Sequence, residues 1–362
     1  MLIDNNDFSL RVNIDSTESF IGFLSMSFML SASLFSASEN NIFSKIEEGS
    51  NTLSLLSSSV ELPEKQLDKL LSFCRSINLI SVNDGVYKNS DLASKLLTDQ
   101  SCENILPVLH HMHKHVYPQF GSLSKSLKSG TNQVSDYEFS NSSGSDEFYT
   151  ALSESSHEFQ RFLGAMNTFS KGVGKDLGSV IKFNHGDSMI DLGCGGGIVS
   201  KELIEYGHNI NLTLIDLEDG IAASKRTFKG VGNIKNITYC VADILSEIDI
   251  KPNSTDYVLV SAVLGDWDHN DQLKILKNAY SLLKPGGQLI VSETLLNKGR
   301  SGPVLPALMS LYVLLLTKGG ENHDPVSISN LLSEAGFSDI SITDRKCENL
   351  RDIIIARKAP RS

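Results

Sequence analysis

From about residue 187 onward, short apolar runs alternate with stretches of helical periodicity. The runs are "SMIDLGC", "NLTLIDL", "ITYCVAD", "DYVLVSAVL" and "GQLIVSETLL". Strand, turn and helix repeated in this way predict a parallel, doubly wound sheet. The last two runs, "FSDISITDR" and "LRDIIIARK", are separated by a short polar loop and predict an antiparallel pair. The first ~100 residues carry a different pattern. In "LPEKQLDKLLSFCRSINLIS", Leu67, Leu70, Leu71 and Cys74 form one helical face. "LISVNDGVYKNS" then gives two β runs joined at Asn83-Asp84-Gly85, a hairpin signal. Helix, helix and hairpin predict a winged-helix module. "FIGFLSMSFMLSASLF" (Phe20 to Phe35) is marginal in length for a membrane span and lacks a basic flank, so a buried helix at a subunit interface is expected. Residues 101–135 are expected to be helical, and "SNSSGSDE" (Ser140 to Glu147) to be a loop. No internal repeat is visible. The expected division is 1–100, 101–175 and 176–362.

Composition narrows the function classes. The 362 residues suffice for two domains, and the net charge of −11 disfavours a broad nucleic-acid surface. Five scattered cysteines (Cys74, Cys102, Cys194, Cys240, Cys347) form no CxxC pair, which fits a reduced, cytoplasmic protein without a disulfide framework or zinc site. No membrane or nucleic-acid partner is expected.

The chemistry starts at "MIDLGCGGGIVSKEL". A strand ends at Asp191-Leu192, and Gly193, Gly195 and Gly197 come next at alternate positions. Glycines there let a ligand approach the backbone, and the next helix directs its amides at it. A dinucleotide fold has a similar turn. The ends of the second and third strands separate these two possibilities. Asp216 ends the second strand, placed for ribose hydroxyls, with Leu217 beside it. Asp243 and Ile244 end the third, a carboxylate and an apolar face suited to adenine. Acidic strand ends would serve a pyrophosphate poorly and a positively charged nucleoside well. The ordinary alternative is that each Asp caps the next helix.

With "LLKPGGQLIVSE" and the final strand pair, these motifs resemble the class I S-adenosylmethionine-dependent methyltransferases. "FLGAMNTFS", "LGDWDHNDQLKILKNAY", "ETLLNKGRSGP", "TKGGEN" and "LLSEAGF" are similar to the small-molecule O-methyltransferases that include the acetylserotonin and caffeate enzymes. The resemblance implies a Rossmann-like α/β sheet, a mainly helical N-terminal winged-helix dimerisation domain, a homodimer, S-adenosylmethionine as cofactor and a small-molecule methyl acceptor. It places Gly193 and its neighbours by the methionine moiety and Ser170 at its carboxylate. Phe162 and Met166 would lie by the methyl group and acceptor, with plain helix core as the alternative, favoured for Phe162. Ser261 and Trp267 would lie at the cofactor side, Trp267 by packing. Tyr312 and the apolar Leu316 would stand at acceptor-pocket positions.

The resemblance also exposes a departure. The family reads Leu-His-Asp-Trp where this chain has Leu264-Gly265-Asp266-Trp267, and the family's His takes the acceptor proton. Glu293 and Glu321 match the two carboxylates that hold that His. The Lys or Arg found nearby in many members is replaced by Ser261-Ala262. His269 enters the next helix and is not expected to substitute. Asp266 is assigned to organising the turn, and Glu293 and Glu321 to accepting hydrogen bonds from the acceptor or around the sulfonium, or to being remnants.

The missing His leaves three readings. The acceptor could need no deprotonation, as with a thioether sulfur such as that of 4-methylthio-2-hydroxybutyrate, the reading that the sequence favours. Another residue could be the base for a hydroxyl: a member of the cluster His110, His111, His113 and His115, or Tyr117. Or methyl transfer is lost, leaving a non-methylating cofactor-binding protein or regulator. Within the cluster His111 and His115 share a helix face, as do His110 and His113. Donors there could hold an acceptor carboxylate; a solvated face is the alternative for two of the four. No metal site is expected, since no carboxylate partner is evident.

Overall fold

The computed structural model describes residues 17–132, 155–231, 236–343 and 351–360. The loop expected at Ser140–Glu147 and the short polar loop expected between the last two runs lie outside these. The chain divides into two compact units, 1–117 and 118–362, so the segment expected at 101–175 is shared between them.

In the first unit, helix Glu64–Ser76 buries Leu67, Leu71 and Cys74, the predicted face. β1 (Ile80–Asn83) and β2 (Val86–Asn89) come next, antiparallel, with Asn83 opposite Val86. The two turn residues, Asp84 and Gly85, both have positive φ (50° and 76°), the geometry that matches strand twist in a two-residue hairpin. The apolar N-terminal segment is helix Thr17–Glu39. In the chain by itself, burial is confined to the C-terminal part of this helix. Phe35 and Ala37 are buried, whereas Phe20, Leu24, Met26 and Met29 are exposed, and Ile21 and Phe28 keep 58% of their surface. The helix is long and apolar enough to cross a membrane by length and composition. Its apolar residues point all round, and among the described residues nothing in its own unit covers the outer ones.

In the second unit the strands are β3 (Ser188–Leu192), β4 (Asn211–Asp216), β5 (Ile237–Val241), β6 (Thr255–Ser261), β7 (Leu283–Glu293), β8 (Ser338–Thr343) and β9 (Asp352–Arg357). They form a seven-stranded sheet in the order β5-β4-β3-β6-β7-β9-β8. The first five are parallel, and β9 runs antiparallel between β7 and β8. The apolar runs reflect burial on both faces. Along β6, Val258 and Val260 face a core built on helices His269–Leu282 and Pro325–Glu334, while Tyr257 and Leu259 face one built on Leu177, Val199, Leu203 and Ile221.

Helices Val173–Val180 and Ile198–Glu205 meet without a side chain between them at one point. A Cβ on Gly174 would stand 2.2 Å from the Val199 carbonyl oxygen. The buried Glu202 carboxylate accepts the amides of Gly172 (2.7 and 2.8 Å) and Gly174 (3.0 Å), so a negative group caps the start of the first helix. Gly174→Ala is expected to destabilise the protein by about 1–3 kcal/mol through overpacking, read as a lower denaturant midpoint. An unchanged midpoint would refute the close packing.

Candidate functional site

The carboxyl ends of the parallel strands and the loops after them form the ligand edge expected of an open α/β sheet. After β3, Gly193 and Gly197 have φ of 78° and 74°, values that side chains rarely adopt. Gly196 is required for another reason. A Cβ there would lie 2.3 Å from Asn167 Oδ1, on helix Ser156–Ser170. That helix therefore lies across the glycine turn, and Leu163 reaches the Gly195 side at 4.0 Å. Ile244 and Val263 close on Gly193, at 3.5 and 2.9 Å from its Cβ position.

Asp216 ties the turn to β4. Its Oδ2 accepts the Gly195 amide at 2.7 Å and its Oδ1 the Leu217 amide at 2.8 Å. Each oxygen retains a lone pair for a hydroxyl. Burial raises its pKa against the pull of those two amides. Behind the turn, Asp191 is 3% exposed and accepts the Ser200 hydroxyl at 2.6 Å. Burial pushes Asp191 up to about 7, with Ser200 opposing and Asp216 adding to the rise. The same burial, with Asp191 and Asp216 nearby, holds the Cys194 thiol well above its ordinary value. Asp243 is exposed and accepts the Leu245 amide and the Ser246 hydroxyl, each at 2.9 Å, the local-capping arrangement, while Leu217 is exposed.

These residues fit S-adenosylmethionine. A glycine turn with positive φ admits a ligand to the backbone, Asp216 retains acceptor capacity, and the acidic edge suits a sulfonium better than a phosphate. Phe162 is buried with Phe159 and Leu163, with Met166 packed against them. Trp267 packs against the sheet core. Ser170 and Ser261, 91 residues apart in sequence, are joined by one guanidinium. Arg351 donates Nη2 to Ser170 Oγ at 3.0 Å and Nη1 to Ser261 Oγ at 3.1 Å. Sequence reasoning missed Arg351 because it sits beside a strand pattern. It also missed Asn167, although that residue lies inside "FLGAMNTFS", one of the stretches that carry the resemblance.

The turn after β6 is Leu264–Asp266, a single 3₁₀ turn. Glu293 Oε1 accepts both the Val263 and Leu264 amides at 2.9 Å. Gln272 Nε2 donates to the Leu264 and Trp267 carbonyls at 2.9 and 3.0 Å. Gly265 has no positive φ. A Cβ on it would make only ordinary contacts: Asn322 Oδ1 at 3.7 Å, Glu293 Oε2 at 3.8 Å and the Glu321 carbonyl at 4.0 Å. Neither backbone conformation nor crowding requires a glycine there. Burial pushes the Glu293 carboxyl up to about 7, against Arg351 and with Asp266. Burial, then Asp266, also raises the Tyr312 hydroxyl, so the Asp266 charge is felt by both. The Glu321 carboxylate is paired with Arg300, both being exposed. His269 pairs with Glu334 at the surface.

The His cluster belongs to the first unit. His111 and His115 are buried, their Nδ1 atoms 3.0 Å apart across a stretch of π-helix, Met112–Val116. Burial, with His115 and His110 nearby, lowers His111 to about 3. His113 stacks on Phe35, which also meets Tyr117 edge-on. The pair His111 and His115 is thus not a solvated face.

The sheet order, the glycine turn and the acidic strand ends define a class I methyltransferase architecture. The chain belongs to the O-methyltransferase family: residues 120–338 match its O-methyltransferase domain, and residues 23–99 match the O-methyltransferase dimerisation domain. It is 29% identical to human acetylserotonin O-methyltransferase over 337 residues, 91% of this chain and 95% of that one. It is 25% identical to the S-adenosyl-L-methionine-dependent methyl transferase PigF of a Serratia strain, covering 92% and 94%. The crystal structure of human N-acetylserotonin methyltransferase in complex with SAM matches with a TM-score of 0.83 at 26% identity, covering 95% of this chain and 98% of that one.

Gly265→Ala is expected to stabilise the fold by about 0.4–1 kcal/mol, as at any position whose φ alanine adopts freely. Gly196→Ala should instead displace Asn167 and weaken binding of S-adenosylhomocysteine. Thermal melting and calorimetry check the pair. Equal effects of the two substitutions would contradict the difference in their surroundings.

Proposed function

We propose that this protein transfers a methyl group from S-adenosylmethionine to an oxygen of a small molecule, with Glu293 receiving the acceptor's proton where relatives use a histidine. The observation that carries this is the split role of the Glu293 carboxylate. Oε1 is fixed by two amides. Oε2 faces the space that a side chain at Gly265 would enter. With no imidazole there, a hydroxyl or a bridging water can take that space. The cofactor supplies an electrophilic methyl whose bond to sulfur breaks as the bond to oxygen forms. A carboxyl held at about 7 is well matched to act as a base near neutral pH.

A second reading keeps the thioether acceptor, of which 4-methylthio-2-hydroxybutyrate is the model. It too is supported by Gly265, because a thioether carries no proton to remove and transfer then depends on proximity and orientation. The family and the acetylserotonin relative favour oxygen.

An acceptor screen with labelled cofactor, comparing phenols, carboxylic acids and thioethers, separates the two. For a hydroxyl acceptor, kcat/KM should rise with pH through about 7 as Glu293 ionises. Glu293→Gln should lower it by about 10²–10⁴-fold and flatten that rise. Turnover of thioethers alone, indifferent to Glu293→Gln, would replace this reading by the second. Stability runs the other way. The folded pKa of Glu293 lies above its ordinary 4.5, so its contribution is present below about 4.5 and is lost as pH rises through about 7. Glu293→Gln should remove that fall.

We also infer a homodimer formed through helix Thr17–Glu39. The support is its exposed apolar surface and its overlap with the dimerisation match. Sedimentation should give about twice the 39.5 kDa chain mass, and Ile21→Glu with Phe28→Glu should give the monomer. A monomeric wild type would refute this.

A further inference from the structure

We propose that Arg351 is the receptor for the carboxylate of the cofactor's amino-acid moiety. This rests on the reading that Ser170 and Ser261 flank the cofactor.

Strand β9 runs against its parallel neighbour, so its start lies where β7 ends, with Asp352 opposite Glu293. The residue just before it, Arg351, therefore arrives at the ligand edge. Ser261 and Ala262, at the end of β6, carry no charge, and the cation enters from the far side of the sheet instead.

Its partners are unusual for a partly buried guanidinium. The group has five N–H donors. Its hydrogen bonds among the described residues go to two neutral hydroxyls. No carboxylate of the described residues lies within ion-pair distance of it. Glu293 acts on it electrostatically, and burial lowers its pKa. Taking a guanidinium out of water without a countercharge is costly. A ligand carboxylate would supply that charge and accept two parallel N–H bonds, the pairing that the planar fork favours. The two serine hydroxyls, accepting from Arg351, keep their own protons to donate to the same carboxylate.

Both anchors sit on elements that touch the glycine turn. Ser170 ends the helix whose Leu163 and Asn167 lie on Gly195 and Gly196. Ser261 is two residues before Val263, which closes on Gly193. A carboxylate held between them belongs to a molecule lying along that turn. This favours the cofactor over the acceptor as its source.

The test compares two probes by calorimetry: S-adenosylhomocysteine and its decarboxylated form, S-adenosyl-3-thiopropylamine. Arg351→Met should weaken S-adenosylhomocysteine by about 10- to 100-fold, the range of a charge-assisted pair, and leave the decarboxylated probe unchanged. Arg351→Lys should recover part of the difference. The ratio of the two affinities in one folded variant separates ligand binding from a structural role, which would weaken both probes alike and overturn the proposal. Unchanged affinity for both would also overturn it. If the wild type binds neither probe, the cofactor reading falls and this one with it. If the KM of carboxylic-acid acceptors rises in Arg351→Met while both probes bind as before, the carboxylate is the acceptor's and the proposal is wrong. The identity of the methylated atom does not enter the outcome, so failure of the oxygen-acceptor reading is distinguishable.

Discussion

The Asp216 carboxylate accepts one amide from the glycine turn and one from the residue next to it in sequence, Leu217. Through these bonds the loop after β3 and the end of β4 become one rigid corner. A loop of four glycines in five residues has much conformational freedom to lose. Here the loss is met by enclosure on several sides: Asp216 from the next strand, Asn167 from the helix above, and Val263 and Ile244 from later strand ends. Helix Ile198–Glu205 starts directly after the turn and is locked in its own right against Gly174. The ligand edge is thus set by contacts that converge from most of the second unit.

The charge at this edge has a consistent sense. Asp191, Asp216 and Glu293 all have pKa values raised mainly by burial. Carboxylates buried in this way are poorly solvated, and a positive ligand would relieve them. Arg351 works in the opposite sense, on the side where β9 enters.

Much of the fold was legible because apolar runs buried on both faces leave a direct trace in sequence. All seven strands of the sheet fall on runs identified in the sequence, although the edge strands β5 and β8 are partly exposed, and the hairpin of the first unit falls on its Asp84-Gly85 signal. The strand ends at Asp191 and Asp216, and the carboxylate at Asp243, could be placed for the same reason. Approaches between distant segments could not be read. Ser170 and Arg351 are 181 residues apart, and no local periodicity records their meeting. Asn167 is an ordinary polar residue until Gly196 is seen beneath it. The N-terminal helix was legible as an apolar helix, but its sequence does not say what covers it, and the chain by itself leaves most of it exposed. The burial of His111 and His115 could not be read either, because a polar name does not reveal a core position.

The space at Gly265 has a wider meaning. A Cβ there makes only ordinary contacts and meets no forbidden dihedral, while the turn around it is held by Glu293 and Gln272. Reactivity at this point is therefore uncoupled from the integrity of the fold. A lineage could exchange one acceptor chemistry for another at residue 265 by single substitutions that never approach the threshold at which the protein ceases to fold.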